Sequence, residues 1–535
     1  MMISRTVSST RRMAFTVPAC LAVAAVLAMP PAPAGAQALP NLSSLRVTYN
    51  TRKATTNPQG DLKVQIDAVD QAVAAAMRAG DTGEVRRQYA RGLALLAGTP
   101  WTPSLDYQNA LVIRSERTVI DSSGPCAARL EQIYEPAIDL TPAMTARVAV
   151  MKQQPAPPGG AGAAAGPPQG PPPMVTVRDF GRLEGVARDL RESPFPMEFD
   201  LAGIPDGPYT LEAEVFDGGT SLARVRLGLV LHKGLDARLR ALEAGAASAP
   251  EALRADIRYP GDYIRNVNRG RVRLGTFDVA AELGAAEAVL AAAKKGRDPF
   301  KGRTGSMERH YWLQGADEVM PYRVYVPAAY RAATPAPLVI ALHGLGGNED
   351  SFFDSYSALP PKLAEQHGFL LAAPLGYRVD GFYGSPTMGA SDPATKRRLE
   401  LSEKDVLEVL RLMRDDYNVD PARIYLIGHS MGAIGTWYLA AKYPDIWAAV
   451  GPFAGTGRPE TVERMTSIPQ IVVHGDADPT VNVAGSRAMV AEMRRLGGEV
   501  TYIEVPGGRH SDVVVPNLPA VFDFLASHRK GGAPR

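Results

Sequence analysis

The sequence contains very little cysteine: Cys20 and Cys126 are the only two among 535 residues. Cys20 lies in an N-terminal segment that we expect to be removed, so Cys126 is left without a partner for an intramolecular disulfide. The sequence also has no paired-cysteine motif and no His-Glu-x-x-His pattern, and it therefore predicts no metal site and no cofactor. Stability is expected to come from side-chain packing.

The sequence also lacks an excess of either positive or negative charge. The 58 Lys and Arg residues nearly balance the 56 Asp and Glu residues, which gives a formal net charge of +2. Nucleic-acid-binding proteins usually carry a clear basic excess, so nucleic acid is not an expected partner. The length is about twice what one hydrophobic core usually organises, which predicts two or more domains.

The N-terminal apolar run is too short for a membrane span. It covers residues 13–29, whereas a spanning helix needs about 20 apolar residues. Arg11 and Arg12 precede the run, and the small residues at 34–36 follow it. This pattern predicts a signal peptide at 1–36 that is cleaved. The mature protein is then exported, periplasmic or secreted, without stable membrane insertion, and the export route stays open.

Changes in sequence pattern divide the remaining chain. Helical periodicity predicts a helical hairpin region at 37–104, and short strands with tight turns predict a small β-sandwich, of immunoglobulin-like type, at 105–233. Residues 153–173 are almost entirely Pro, Gly, Ala and Gln, so we expect a disordered loop there. An alanine-rich helical pattern predicts a connector at 234–304, followed by a catalytic domain at 305–535.

Strands and helices alternate through this last region, with the first expected strand at 322–326. Apolar strands separated by helices indicate an α/β domain with a doubly wound, mostly parallel sheet. No segment repeats with a period of about 40 residues, so a propeller of such blades is not expected ahead of it.

The candidate nucleophile is Ser430, in the sequence Gly-His-Ser-Met-Gly at 428–432. An apolar strand at 424–427 runs directly into this motif and a helical segment at 433–442 leaves it, which is the strand, sharp turn and helix of a nucleophile elbow. Glycines suit this turn because it leaves no room for side chains beside the serine. Without that context, the motif would indicate only a surface turn.

A serine hydroxyl needs a base, which follows it along the chain in this type of fold. Three histidines come after Ser430: His474, His510 and His528. His510 lies in a glycine-containing loop after a strand, so it is the predicted general base. His474 falls at a strand end, and His528 falls in the closing helical segment.

The predicted acid is Asp478, in the loop that follows the strand ending at His474. Asp476 in the same loop is the alternative, although its expected role is to close the turn by hydrogen bonding. The 31 residues between Asp478 and His510 leave room for one helix and one strand.

Two further groups of residues complete the predicted site. The backbone amides of Met431 and of Leu345, in a glycine-rich loop after an early strand, are expected to stabilise an oxyanion. The loop at 376–384 emerges where α/β proteins bind ligands, and its aromatic residues are candidate substrate contacts. These candidates are Tyr377, Phe382 and Tyr383.

Four sequence blocks, in this order, carry a family resemblance. They are Leu-His-Gly at 342–344, Gly-His-Ser-Met-Gly at 428–432, His-Gly-Asp-Ala-Asp-Pro-Thr-Val at 474–481 and Gly-Arg-His-Ser at 508–511. Residues 307–530 resemble the secreted α/β-hydrolase esterases, which include feruloyl and acetylxylan esterases, polyhydroxybutyrate-depolymerase-like proteins and carboxylesterases with an immunoglobulin-like N-terminal domain. The resemblance implies ester hydrolysis through an acyl-enzyme, with Ser430, Asp478 and His510 as the triad.

Two alternatives stay open at this point. Prolyl-oligopeptidase-like serine peptidases are similar around the serine, but they usually carry a propeller ahead of the catalytic domain. The other alternative is a non-catalytic polysaccharide-binding protein on a hydrolase scaffold. The expected substrate is a small-molecule or polymeric ester, whose acyl and alcohol groups the sequence does not specify, and the oligomeric state is equally open.

Overall fold

The computed structural model describes residues 42–154, 173–386 and 392–531. The signal peptide predicted at 1–36 lies outside these residues, as does most of the loop predicted at 153–173. Among the described residues, no helix is both long and apolar enough to cross a membrane. The division of the chain into domains stays a prediction.

The described N-terminal helices share a small hydrophobic core. They are α1 (Leu42–Thr56), α2 (Gly60–Ala79), α3 (Thr82–Leu96) and the short α4 (Pro103–Ala110). Gly80 ends α2 in the left-handed conformation, and the Asp81 carboxylate accepts a hydrogen bond from the Glu84 amide at the start of α3. Helix α1 packs on this α2–α3 hairpin because Gly92 leaves room for the Tyr49 ring, which a Cβ at position 92 would meet at 2.4 Å. The region predicted as a helical hairpin thus contains a third packed helix.

Two sheets follow and enclose one core. Their strands are β1 (Leu111–Ser115), β2 (Val119–Ile120), β3 (Pro125–Gln132), β4 (Met144–Gln153), β5 (Met174–Glu184), β6 (Phe195–Asp200), β7 (Gly207–Asp217) and β8 (Thr220–Leu231). The strand orders are β1-β3-β6 and β2-β8-β7-β4-β5. Alternate residues of β7 are buried, and Leu211 and Ala213 share a core with Leu130 of the other sheet. The arrangement is a β-sandwich, and its immunoglobulin-like type stays a prediction.

Three helices connect the sandwich to the last domain. They are α5 (Leu235–Ser248), α6 (Glu251–Asn268) and α7 (Val279–Ala293). Their apolar faces form a separate core that includes Leu242, Ile257 and Leu283.

The last domain is built on an eight-stranded sheet. Its strands are β9 (Gly305–Leu313), β10 (Glu318–Val326), β11 (Ala336–Leu342), β12 (Leu370–Pro374), β13 (Val419–His429), β14 (Ala449–Phe453), β15 (Gln470–Gly475) and β16 (Val500–Val505), and its helices are α8 (Leu359–His367), α9 (Pro393–Asp416), α10 (Met431–Lys442), α11 (Ala484–Arg495) and α12 (Val514–Ser527). The strand order is β9-β10-β12-β11-β13-β14-β15-β16. Strand β10 pairs antiparallel with both its neighbours, and the other pairs are parallel. This is an α/β-hydrolase sheet, so the predicted fold class is confirmed.

Helices cover both faces of this sheet. In β11, Leu338 and Ile340 belong to the core on one face, while Val339 and Ala341 belong to the core on the other. Both faces are apolar because successive side chains of a strand point to opposite sides of the sheet. The middle of the sheet is therefore apolar on both faces.

The connector covers the β9 edge of the sheet. Asp256 on α6 accepts a hydrogen bond from the His310 amide at 2.9 Å, and Asp262 on the same helix accepts one from the Val319 amide at 2.9 Å. Both carboxylates are almost completely buried. The sheet edge is thus joined to the connector by buried hydrogen bonds to its backbone, in addition to apolar packing.

Candidate active site

Ser430 lies on the sharp turn between β13 and α10. Its backbone has φ 57° and ψ −115°, a combination that a residue with a side chain rarely adopts. The flanking glycines make this turn possible: a Cβ on Gly428 would lie 2.2 Å from the Gly432 oxygen, and a Cβ on Gly432 would lie 1.9 Å from the Leu342 oxygen. The turn therefore presses directly against the end of β11.

The structure brings Ser430, His510 and Asp478 together. Nε2 of His510 lies 2.8 Å from Oγ of Ser430, and Nδ1 of His510 lies 2.7 Å from Oδ2 of Asp478. The three residues follow β13, β16 and β15, which run parallel, so their loops meet at the carboxyl edge of the sheet. Residues far apart in the chain are thereby joined in one line of hydrogen bonds.

The surroundings of Asp478 keep it ionised. Its side chain is 0% exposed, and Oδ1 accepts hydrogen bonds from the amides of Thr480 at 2.7 Å and Val481 at 3.0 Å. Burial by itself would raise the pKa of this carboxyl group. The hydrogen bonds from His510 and from the two amides outweigh burial, and the pKa lies below its ordinary value. The acid can therefore orient an imidazole ring and stabilise a positive charge on it.

Asp476, the alternative acid, is exposed and has a different partner. Its Oδ1 accepts a hydrogen bond from the Gly507 amide at 2.6 Å. This contact ties the loop after β15 to the loop that carries His510.

His474 contacts the same carboxylate oxygen of Asp478 as His510 does. Its Nε2 lies 3.2 Å from Oδ2 of Asp478 and 3.0 Å from the Val481 carbonyl oxygen, and its Nδ1 lies 2.7 Å from Oγ of Ser486. Burial is the main cause that lowers the pKa of His474. A neutral ring with its proton on Nε2 donates to Asp478 and accepts from Ser486. His474 lies at the strand end expected from the sequence, but its contact with the acid was not predicted.

His429 holds the backbone of the candidate base. Its Nε2 donates to the His510 carbonyl oxygen at 3.0 Å, and its Nδ1 accepts from the Tyr356 hydroxyl at 2.9 Å. Burial, and next the neighbouring His510, lower the pKa of His429 to about 4. The sequence analysis did not single out this residue, although it lies directly before Ser430.

The two predicted oxyanion donors belong to segments that lie next to Ser430. Met431 is the first residue of α10 and is buried. Leu345 lies in the loop after β11, which passes close to the serine: a Cβ on Gly344 would lie 3.4 Å from Cβ of Ser430. The next amide in this loop, that of Gly346, donates to the Val379 carbonyl oxygen at 2.8 Å, which anchors the loop.

The predicted substrate contacts lie in different surroundings. Tyr377 and Phe382 are half-buried, whereas Tyr383 is 0% exposed. The Tyr383 hydroxyl donates to the His343 carbonyl oxygen at 3.1 Å, and its ring fills space that Gly435 leaves open. Residues 343–347, which include Leu345, form the loop after β11 that we call the oxyanion loop. The placement of Tyr383 beneath this loop favours a structural role over the predicted contact with substrate.

Residues able to hold a metal ion lie elsewhere. In the described part of the chain, the ligand atoms of Glu282, Glu308 and His310 are close enough together to do so. None of them belongs to the Ser430 group.

Part of the chain is similar to known esterases. Residues 314–494 match the protein family described as "Putative esterase". We call this matched part of the chain the esterase segment, after the family that it resembles. The esterase segment includes Ser430 and Asp478 and ends before His510.

Relatives of the esterase segment are known from fungi and bacteria. A feruloyl esterase B of Neurospora crassa is 29% identical over 138 residues, which cover 25% of this chain and 44% of that protein. A protein called "Putative esterase NocK", of Nocardia uniformis subsp. tsuyamanensis, is 30% identical over 187 residues, covering 34% of this chain and 52% of that protein. The chain thus spans about half, or less, of the length of these relatives.

A solved structure is similar over a longer part of the chain. The structure described as a thermostable esterase is 18% identical, covers 79% of this chain and 100% of its own, and superposes with a TM-score of 0.37.

Proposed function

We propose that this protein hydrolyses carboxylic esters, with Ser430 as nucleophile, His510 as general base and Asp478 as the acid that supports it. The observation that carries the proposal is the unbroken line of hydrogen bonds from Ser430 through His510 to Asp478, at distances of 2.8 Å and 2.7 Å. The strained turn at Ser430 and the esterase names of the relatives support it. The same triad geometry serves serine hydrolases of unrelated folds.

The proposed reaction proceeds in two halves. His510 Nε2 accepts the proton as Ser430 Oγ attacks the ester carbonyl carbon, and the resulting oxyanion accepts hydrogen bonds from the Leu345 and Met431 amides. The tetrahedral intermediate collapses, His510 returns the proton to the departing alcohol, and the acyl group stays on Ser430. Water, deprotonated by His510, then attacks this acyl-enzyme and releases the carboxylic acid, which restores the serine.

A peptidase of prolyl-oligopeptidase type is less well supported. The described residues ahead of the catalytic domain form helices and two sheets that share a sandwich core, and no propeller occurs among them. The esterase proposal therefore takes precedence, with a small or polymeric ester as substrate.

Covalent labelling tests the nucleophile. A fluorophosphonate is expected to label wild-type protein on Ser430, and Ser430→Ala is expected to abolish both labelling and turnover of p-nitrophenyl acetate. Ser511→Ala is a matched control, because Ser511 is an exposed serine next to His510. Peptide mapping that finds the label on another serine would refute the assignment.

A substrate panel tests the reaction class. We expect turnover of p-nitrophenyl esters and no turnover of aminoacyl anilides, and the preferred acyl chain length would define the substrate further. Hydrolysis of the anilides at rates similar to the esters would favour the peptidase. Export is tested separately, by whether the mature protein found in the periplasm or medium begins near Gln37.

A further inference from the structure

A second group of ionisable side chains lies at the seam between the connector and the catalytic sheet. Glu282 is on α7 of the connector, and Glu308 and His310 are on β9, the edge strand. Residues 308 and 310 share one face of the strand because side chains alternate along it. One ligand atom from each of the three side chains lies within 4.8 Å of the other two. The proposed ester hydrolysis uses none of them.

The distances within this group suit a small metal ion. His310 Nε2 lies 3.1 Å from Oε1 of Glu308. Two ligand atoms bound to one ion at about 2.0–2.2 Å are themselves about 3 Å apart. On the other side of the ring, Nδ1 of His310 lies 3.2 Å from Oδ1 of Asp256. A carboxylate on the second ring nitrogen is the usual means of orienting a metal-binding histidine.

A buried carboxylate without a hydrogen-bond partner among the described residues lies close to this group. Glu349 is 6% exposed, and within the described ranges its buried Oε2 has no hydrogen-bond partner. The charges of Asp350, Glu308 and His310 act on this carboxyl group, so it lies near Glu308 and His310. A buried carboxylate without a partner is costly, and a cation held by the adjacent Glu308 and His310 would offset that cost.

The nearest fixed cation is already engaged. The Arg323 guanidinium, which interacts with Glu308, forms ion pairs with Asp350 and Asp354. Of the two cationic side chains that act on Glu308, only His310 is in hydrogen-bond contact with it.

We propose that Glu282, Glu308 and His310 bind one divalent transition-metal ion of the zinc or manganese class. One imidazole with two carboxylates favours such an ion over calcium or magnesium, which prefer oxygen ligands alone. The ion ties α7 to β9 and so fastens the connector to the sheet edge. Its role is structural, because its ligands are distinct from the residues assigned to ester hydrolysis.

Metal binding to the untagged full-length protein tests the proposal. After removal of metals with a chelator, the protein is dialysed against Zn²⁺ or Mn²⁺, and the bound metal and the midpoint of thermal unfolding are measured. We expect one equivalent of metal and a higher midpoint for the wild type. We expect Glu282→Gln, which keeps the side-chain shape, to bind at least about tenfold more weakly and to lose most of the rise in midpoint.

Two further variants make the result specific. Glu287→Gln also removes one negative charge from α7. This carboxylate pairs with Arg238 and is not one of the proposed ligands, so the variant should retain metal binding. Glu308→Gln retains a hydrogen bond to His310 while losing its charge, and it should reproduce the effect of Glu282→Gln.

Two results would overturn the proposal. One is the absence of metal binding to wild type with no change in midpoint, which would mean that a protonated His310 alone neutralises the group. The other is equal binding by wild type and Glu282→Gln, which would place any metal elsewhere. Metal content and unfolding do not depend on ester turnover, so failure of the esterase proposal would leave this test unaffected.

Discussion

Asp478 and Asp476 lie two residues apart in one loop, but their contacts differ in kind. The Asp478 side chain is completely buried, and its carboxylate contacts two histidine rings and two backbone amides. Asp476 is exposed and accepts a hydrogen bond from a single amide, that of Gly507. Only Asp478 can therefore act on the protonation state of His510.

Replacing each aspartate by asparagine is expected to separate these roles. Asp478→Asn should lower kcat for p-nitrophenyl acetate by about ten-thousand-fold, because an amide cannot hold His510 in the required tautomer or stabilise its charge. Asp476→Asn should keep kcat within about tenfold, since its amide oxygen can still accept the hydrogen bond from Gly507.

Steady-state kinetics with both variants, after circular dichroism has verified folding, decides the matter. If Asp476→Asn were the more damaging change, the two assignments would have to be exchanged.

Around Ser430, the turn between β13 and α10 packs with its backbone directly against the backbone of β11. The turn between β13 and α10 touches the end of β11 so closely that position 432 accepts only glycine: a Cβ there would meet the Leu342 carbonyl oxygen, which the sheet holds in place. The glycines thus determine how closely α10 approaches the sheet, and through that the position of Ser430.

Gly432→Ala is accordingly expected to destabilise the fold by at least about 3 kcal/mol, as a backbone clash in a core usually does. Gly284→Ala is a matched control in helix α7, where an added Cβ meets nothing within 4 Å. Alanine there should be neutral or stabilise by up to about 1 kcal/mol. Chemical denaturation of both variants measures the difference, and equal stability of the two would contradict the account of the elbow.

At the scale of the whole molecule, the connector is part of what completes the catalytic sheet. Asp256 and Asp262 accept hydrogen bonds from the backbone of β9 and β10. Arg271, which follows α6, forms an ion pair with the buried Glu318. Cutting the chain at residue 305 would remove all three partners and leave the β9 edge of the sheet uncovered.

Two truncated chains test where the catalytic unit begins. A chain of residues 234–535 is expected to fold and to hydrolyse small acetyl esters, whereas residues 305–535 should unfold at a clearly lower temperature because buried polar groups lose their partners. Thermal unfolding followed by ester assays distinguishes the two. A well-folded chain of residues 234–535 without activity would show that the sandwich completes the active site.

Local sequence was informative wherever structure depends on neighbours in the chain. The strand, turn and helix around Ser430 are encoded within about 20 residues, and the alternation of apolar strands and helices was enough to predict the class of the sheet. Strand β9 was not predicted, because its polar residues at 306, 308, 309 and 310 are typical of an exposed segment. Only the structure shows that β9 is the edge strand of the sheet and that the connector covers it.

The sequence by itself thus determined the fold class and the loops that carry Ser430, Asp478 and His510, because short-range patterns of glycine and apolar residues specify them. The tertiary structure decided which side chains meet. It brought His474 to Asp478, buried Tyr383 beneath the oxyanion loop, and set Glu282 against β9. Such contacts join residues distant in the chain, and they depend on how complete elements pack, which no local pattern records.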